Sequence, residues 1–262
     1  MRHDALFDLQ SYIDQEVLAA YSGFQDAALA WWRNARNETS DMGLDHTTVR
    51  AMSTGARGER GPVALYEAWA TVQFTRVTGD TRLQKSLGTR EGFEAWHGKL
   101  TQSLVSHWCA RVTENNEMLR QKEGNAFFPV NPSLNIAHRY KMVDLFVRYL
   151  RVRADKHPGL AQHCYEFGHI PLDRKSLAVI SAAFGGVGLG REFRMGDIVS
   201  ESMYWTYQRL ARVICELAGG TPLLLDVFSW HSPFAQKLYE KQKSTPTRKS
   251  TKRANKKGNQ AA

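Results

Sequence analysis

The chain has 262 residues, of which 42% are apolar and 23% charged, a composition typical of a folded globular protein rather than a disordered or fibrous one. No run of 18 or more uncharged apolar residues occurs, which excludes a membrane-spanning segment, and the acidic N-terminal residues lack the apolar core of a secretory signal. Three widely separated cysteines form no CxxC pair, so we expect a cytoplasmic protein without a disulfide framework or a zinc knuckle.

The positive charge is concentrated at the C-terminus. The formal net charge is +9, but residues 1–240 contribute only +1, because the eight basic residues of 241–262 are accompanied by no acidic residue. This stretch has no apolar periodicity and is predicted to be a disordered basic tail. A flexible polycation favours phosphate backbones through counterion release, so nucleic acid, with DNA favoured, is the expected partner. The alternatives are a solubilising tail and a tail that contacts acidic protein surfaces.

Apolar residues recur at helical spacing through almost the whole body, and no β-alternation or internal repeat is visible. A helix is predicted over 5–36, followed by a polar, glycine-containing loop at 40–61 with one short helical turn. Pro62 opens a second helix that ends before Gly79, and a third helix is predicted over 91–120.

The second half of the chain continues this pattern. A long helix, capped by Asn131 or Ser133, is predicted to run to about Ala154. The further predicted elements are, in chain order, a linker at 156–170, a helix from Pro171 to Phe184, a glycine-rich loop at 185–197, a helix at 199–217 and a last helix from Pro222 to Lys241.

The predicted fold class is therefore all-α, with a multi-helix globular body and a disordered basic C-terminal tail. The body forms either one unit or two helical lobes around a cleft. We divide the chain into an N-terminal helical region at 1–121, a C-terminal helical region at 122–240 and the tail at 241–262.

Two features resemble ligand sites only in part. The glycines of 185–190 lack the GxxxxGK[ST] order of a phosphate loop and follow a helix, so a flexible loop is the better interpretation. His157, His163, Cys164 and His169 crowd one linker without the repeating spacing of metal ligands. Neither a metal nor a cofactor is expected.

The segment 140–180 carries the most informative pattern. The run Lys141-Met142-Val143-Asp144 opens a helix whose other side is apolar, and Ile170-Pro171-Leu172-Asp173 begins the next helix. These two elements resemble the core of the helix-hairpin-helix DNA glycosylases, especially the 8-oxoguanine glycosylase/lyase branches. The separation of 32 residues between Lys141 and Asp173 is similar to that of the archaeal-type enzymes, which have a longer connection. The acid at 144 is expected to make a local bond.

The resemblance implies that Lys141 is a nucleophile and Asp173 the activating carboxylate of a DNA glycosylase with AP-lyase ability, acting in repair or in defence against foreign DNA. Such a lysine must be desolvated to attack the sugar, and packing of its stem against Met142 and Leu145 would favour the neutral amine. The helix dipole keeps an aspartate at a helix N-terminus ionised. Lys156 and Lys175 compete with Lys141 as the nucleophile.

The chain departs from the family in one respect. The glycine-rich hairpin ahead of the lysine, which binds a DNA phosphate, is absent from 133–140. Either other residues replace that anchor, or the match is one of architecture alone. The residues expected to contact nucleic acid are Asn135, His138, Arg139, Arg174, Lys249, Arg253, Lys256 and Lys257. The aromatic residues that could stack on a flipped base are Trp69, Trp96, Trp108, Tyr204, Trp205 and Trp230.

Two alternatives from other classes stay open. A non-catalytic nucleic-acid-binding or assembly protein would carry residues 141 and 173 as solvated charges at helix ends. A HEPN-type ribonuclease would use an arginine and a histidine at family-like spacing, for which Arg90 with His97 and Arg151 with His157 are the candidates.

Overall fold

The computed structural model describes residues 9–34, 44, 48, 52–124, 128–154, 156–185 and 194–244. These residues contain helices and no strand, which confirms the all-α prediction. The ten α-helices are α1 (Gln15–Asn34), α2 (Pro62–Gly79), α3 (Thr81–Ser86), α4 (Arg90–Glu123), α5 (Ile136–Arg153), α6 (Pro158–Phe167), α7 (Arg174–Ala183), α8 (Glu201–Ala218), α9 (Pro222–His231) and α10 (Pro233–Ser244). Short 3-10 turns lie at Gly58–Arg60 and Met195–Asp197. None of the described helices has the length and apolar character that a membrane span needs.

Local capping fixes where several helices begin. The Asn135 side chain accepts a hydrogen bond from the backbone N–H of His138 at 2.8 Å, so Asn135, and not Asn131 or Ser133, caps α5. Thr221 caps α9, whose first residue is Pro222, as the sequence predicted. The tail residues 245–262 and the glycines at 186–193 lie outside the described residues.

The linker predicted at 156–170 is the largest error in the sequence-based assignment. It contains α6, a ten-residue helix with Pro158 in its first turn. Leu160, Ala161 and Cys164 of α6 are buried against the body. Their spacing is helical, but the His, Gly and Pro residues around them favoured a loop in the sequence reading.

Three other boundaries differ from prediction. The first helix is interrupted at 11–14, where the Asp14 carboxylate accepts the backbone N–H of Glu16 at 2.8 Å and so starts α1. The short helix α3 was missed, and Asp80 caps it. The last predicted helix is two helices, because Ser232 precedes a proline and has an extended backbone conformation.

The buried apolar residues form two clusters that share α5. One cluster joins α1, α7, α8, α9 and α10, and the other joins α2, α4 and α6. Tyr140 and Val152 of α5 belong to the first cluster, whereas Val143 and Phe146 belong to the second. A helix apolar on most of its circumference is a buried helix. The division of the body at residues 121 and 122 stays a prediction.

Replacement of Phe146 by alanine tests the role of α5 in the second cluster. Phe146 is fully buried, and its ring lies 5.2 Å from that of Trp69. We expect Phe146→Ala to lower the free energy of unfolding by about 3–5 kcal/mol, since it removes buried surface and leaves a cavity. Val72→Ala, at an exposed position of α2, is the control and should change it by less than about 0.5 kcal/mol in urea denaturation. Equal midpoints for the two variants would contradict this packing.

Candidate functional site

A cavity of about 220 Å³ brings Lys141 and Asp173 together, although 32 residues separate them in the chain. We refer to it as the lysine cavity. It lies among α1, α5, α9 and the segment that precedes α7. The other lining residues that bear on chemistry are Trp31, Arg148, Asp226, Trp230 and His231. The structure thus places the two residues of the glycosylase hypothesis beside one shared space.

Lys141 is almost completely buried, with 5% of its surface exposed. Leu145, one helical turn further along α5, lines the same cavity, as expected from its position four residues on. Met142, in contrast, belongs to the second core cluster on another side of α5. The predicted packing of the lysine stem is therefore supported for Leu145 only.

Asp173 is the N-cap of α7 and is held by three hydrogen bonds. Its Oδ1 accepts the backbone N–H groups of Lys175 at 2.8 Å and Ser176 at 3.0 Å. Its Oδ2 accepts the indole N–H of Trp230 at 2.9 Å. In return, the backbone N–H of Asp173 donates to Ser176 Oγ, which completes a capping box. The carboxylate is therefore fixed in position beside the cavity.

Asp226 is a second carboxylate in the cavity, and the sequence reading missed it. Its Oδ2 accepts a hydrogen bond from Arg148 Nη1 at 2.7 Å, whereas its buried Oδ1 has no hydrogen-bond partner. Burial raises the pKa of Asp226 to about 6; Arg148 and Lys141 oppose this shift, and the charge of Asp173 adds to it. The available signal was a single acid within the apolar run 222–228.

Aromatic rings border the same space. The rings of Trp31 and His231 lie 5.0 Å apart with a tilt of 33°. Trp230 is 37% exposed, and the ammonium of Lys175 lies 4.2 Å from the centre of its ring. Of the aromatic candidates from the sequence, Trp230 alone lines the lysine cavity. The indoles of Trp69, Trp96 and Trp108 are buried in the second core cluster.

The residues expected to contact nucleic acid through α5 have partners within the protein. Asn135 Oδ1 lies 2.7 Å from His138 Nδ1, and Arg139 forms an ion pair with Glu201 at 3.3 Å. Burial and the charge of Lys141 lower the pKa of His138. Arg174 lies over the ring of Tyr239. None of these four predicted residues lines the lysine cavity. The four tail residues Lys249, Arg253, Lys256 and Lys257 lie outside the described residues.

One turn beyond Lys141, Asp144 is the centre of a fully buried polar network. Its Oδ1 accepts hydrogen bonds from His97 Nε2 at 2.8 Å and from the Tyr204 hydroxyl at 2.9 Å. Both partners are remote in sequence, so the prediction of a local bond for Asp144 was wrong. The Tyr204 hydroxyl also lies 3.1 Å from His169 Nδ1, and Arg212 Nη2 lies 3.0 Å from His169 Nε2.

The partners of His169 and Tyr204 determine where their protons lie. Arg212 can only donate, so His169 Nε2 accepts and the proton of the neutral ring lies on Nδ1. This Nδ1–H then donates to the oxygen of Tyr204, whose hydroxyl donates to Asp144. Burial, together with the charges of His97 and Arg212, holds the pKa of His169 well below its usual value. Burial raises the pKa of Asp144, and the hydrogen bond with His97 opposes that shift.

The same side chains include possible metal ligands. Donor atoms of His97, Asp144 and His169 lie within 4.8 Å of one another. A metal on His169 Nδ1 would leave the ring proton on Nε2, directed at the guanidinium of Arg212, which has no acceptor. The donor set therefore fits a hydrogen-bond network better than a metal. His169 thus belongs to the Asp144 network, whereas the sequence analysis had grouped it with His157 and His163 of the linker.

The network holds the segment that carries Asp173. Gln208 of α8 accepts the backbone N–H of Ile170 at 3.1 Å and donates to its carbonyl at 2.8 Å. His169 is bound to α8 by Tyr204 and Arg212. Asp173 follows four residues after His169, and Lys141 precedes Asp144 by one turn of α5. The buried contacts thus fix both residues of the lysine cavity relative to α8.

Comparisons of this chain with protein family models, with curated proteins and with solved structures gave no match. The resemblance to helix-hairpin-helix glycosylases therefore depends on residues 140–180 and stays an interpretation of their pattern. Statements about function depend on the geometry of the lysine cavity.

Removal of the Tyr204 hydroxyl tests the Asp144 network. Tyr204→Phe leaves the buried carboxylate without one donor and His169 Nδ1–H without its acceptor. We expect a loss of about 1–3 kcal/mol in the free energy of unfolding, the penalty of unsatisfied buried polar groups. Tyr12→Phe, at a position 58% exposed, is the matched control. Equal stability of the two variants in urea denaturation would show that the hydroxyl contributes nothing.

Proposed function

We propose that this protein is a nucleic-acid-directed enzyme of the DNA glycosylase class, which excises a damaged or modified base with Lys141 as its nucleophile. The observation that carries the proposal is the burial of Lys141 beside one cavity that Asp173 and Asp226 also line. Lysine is rarely buried in proteins unless it is paired. A desolvated lysine with carboxylates in a cleft is the arrangement that amine nucleophiles need.

The proposed reaction begins with transfer of a proton from the Lys141 ammonium to Asp226. The amine lone pair then forms a bond to C1′ of the extruded nucleotide while the N-glycosidic bond breaks, and the electron pair of the broken bond leaves with the base. The aminal nitrogen gives up a proton, and its lone pair forms the C=N bond while the C1′–O4′ bond breaks. O4′ takes the electron pair of that bond and a proton, which leaves a Schiff base between Lys141 and the sugar. Loss of the 2′ proton then permits β-elimination of the 3′ phosphate, which is AP-lyase chemistry.

The two carboxylates have different roles in this scheme. Asp173 is held by three hydrogen bonds and stabilises the positive charge that develops on the sugar. Asp226 has an unpartnered oxygen and a pKa raised to about 6, so it is the better proton acceptor for the Lys141 ammonium. The rings of Trp31, Trp230 and His231 offer surfaces on which a flipped base can stack.

The competing lysines lack these features. The ammonium of Lys175 lies over the Trp230 ring, and Lys156 is exposed between α5 and α6. The alternatives from other classes lack support as well. Lys141 and Asp173 are buried, whereas a non-catalytic protein was expected to carry them as solvated charges. His97 is fully buried in the Asp144 network, where RNA cannot reach it, and His157 faces Gln84.

DNA is the proposed partner and the cytoplasm the proposed location. Tyr239 of α10 lies beneath Arg174 and Lys175, the first two residues of α7 after Asp173. Lys241 and Lys243, in the last turn of α10, therefore lie within about one helical turn of the contact between Tyr239 and α7. Contacts of Lys and Arg with phosphates position a substrate without reading its sequence. The free thiols of Cys109, Cys164 and Cys215 suit a reducing compartment.

Covalent trapping tests the nucleophile. Incubation with a duplex that contains 8-oxoguanine, and with one that contains an abasic site, in the presence of borohydride should give a stable protein–DNA adduct, because borohydride reduces the Schiff base. Lys141→Gln should abolish the adduct, whereas the controls Lys156→Gln and Lys175→Gln should retain it. An adduct that persists in Lys141→Gln, or no adduct with either duplex, would rule out the assignment.

The pH dependence of single-turnover trapping tests Asp226. With a pKa of about 6, its carboxyl is ionised above that pH and protonated below it. The rate should therefore fall as the pH is lowered through about 6, to roughly a tenth of its plateau one unit below. Asp226→Asn should have a low trapping rate that no longer falls as the pH is lowered through about 6. Asp26→Asn, at an exposed position of α1, should keep the wild-type pH dependence. If Asp226→Asn kept the wild-type pH dependence, a group other than Asp226 would be responsible for it.

A further inference from the structure

A second cavity, of about 350 Å³, lies between α1 and α5. We refer to it as the arginine cavity. Trp32 and Arg33 line it from the last turn of α1, and Arg151 and Val152 line it from the last turn of α5. Among the described residues that line it, two side chains are cations and none is an acid. A concave surface with unbalanced positive charge favours a small anion.

The arginine cavity adjoins the lysine cavity. Trp31 lines the lysine cavity, and its ring lies 5.3 Å from that of Trp32, which lines the arginine cavity. On α5, Arg148 and Arg151 are three residues apart, which places them on one face of the helix with a rise of about 4.5 Å. A single nucleotide can span that distance.

Two buried donors at the arginine cavity have no acceptor. Trp32 is 7% exposed, and its indole N–H has no hydrogen-bond partner. The Nε–H of Arg151 is likewise buried and unpartnered. Buried polar groups are nearly always paired, so an unpaired one calls for an explanation. Both groups are donors, and the partner that suits them is an acceptor such as an oxyanion.

A structural role at the helix ends explains the arginines less well. Cations are stabilised at helix C-termini, and Arg33 and Arg151 both lie there. Over the described part of the chain, however, neither guanidinium forms an ion pair with a carboxylate or donates to a terminal carbonyl. The guanidinium carbon of Arg151 instead lies 5.2 Å from the centre of the Tyr165 ring. Its buried Nε–H has no acceptor.

We propose that the arginine cavity is a phosphate site, in which Arg33, Arg151 and the indole N–H of Trp32 donate to one phosphate group. Planar guanidinium groups match phosphate oxygens in pairs, which gives both charge and geometry. The assignment of this phosphate to a nucleic-acid backbone, next to the nucleotide in the lysine cavity, rests on the proposed function. The oxyanion site itself does not.

Titration with inorganic phosphate tests the site without any substrate of the proposed enzyme. In the full-length protein with ¹⁵N-labelled tryptophan, the indole signal that Trp32→Phe removes should shift saturably with phosphate. Arg33→Gln and Arg151→Gln should each raise the dissociation constant for phosphate at least tenfold. Arg209→Gln, at an exposed position of α8, should leave it unchanged. No saturable shift, or equal binding by Arg33→Gln and Arg209→Gln, would overturn the proposal. Arg33 is exposed, so its variant should fold normally.

A single-stranded oligonucleotide distinguishes the two sources of the phosphate. If the site binds a backbone phosphate, the slope of log K against log salt should become shallower by about 1 in Arg33→Gln and stay unchanged in Arg209→Gln. Saturable binding of inorganic phosphate with an unchanged slope would support the oxyanion site and exclude the backbone as its source. Failure of covalent trapping at Lys141 would remove the glycosylase proposal and leave the phosphate titration unaffected.

Discussion

A buried carboxylate with all its partners on other elements constrains this fold more than any other contact. Asp144 is completely buried, and burial of a charge without compensation is costly. Its donors are His97 on α4 and Tyr204 on α8, and Tyr204 in turn meets the segment before α7 through His169. Because removal of any one partner leaves a buried polar group unsatisfied, these elements cannot shift independently. The position of Lys141 relative to Asp173 follows from that rigidity, since each lies four residues or fewer from a member of the network.

Helix α5 carries two very different electrostatic environments one turn apart. At Asp144 the carboxylate accepts hydrogen bonds from His97 and Tyr204, and burial together with the charges of His97 and Arg212 holds the pKa of His169 well below its usual value. At Lys141 the match is incomplete, because Asp226 shares the cavity with one oxygen unpartnered and a pKa raised to about 6. A buried carboxylate with several donors holds the elements around it in place, whereas a titrating group with an unpartnered oxygen beside a cavity can bind or react. The first environment thus supports the second.

The sequence predicted most of the helices, because their apolar residues recur at helical spacing and because Pro and Thr mark their starts. It also singled out Lys141 and Asp173, whose local pattern resembles a known family. It missed α6, in which ten residues with a proline, a glycine and a histidine give a short and ambiguous signal. Asp226 and Trp31 were missed for another reason. They reach the cavity from α9 and α1, and contacts between remote helices leave no mark on local periodicity.

The unpaired polar atoms of the two adjoining cavities have opposite character, and this contrast bears on what they bind. Among the described lining residues, the buried unpaired atom of the lysine cavity is an acceptor, Asp226 Oδ1, and those of the arginine cavity are donors of Trp32 and Arg151. If both cavities served only to stabilise the fold, donors and acceptors would be expected to match within each of them. A nucleotide in the proposed orientation supplies both missing partners, since its base carries N–H donors and its phosphate carries acceptors. A simple anion would satisfy only the arginine cavity, and a simple cation only the other. Because one cavity has an unpaired acceptor and its neighbour has unpaired donors, the two cavities together favour one ligand that carries donors at one end and acceptors at the other.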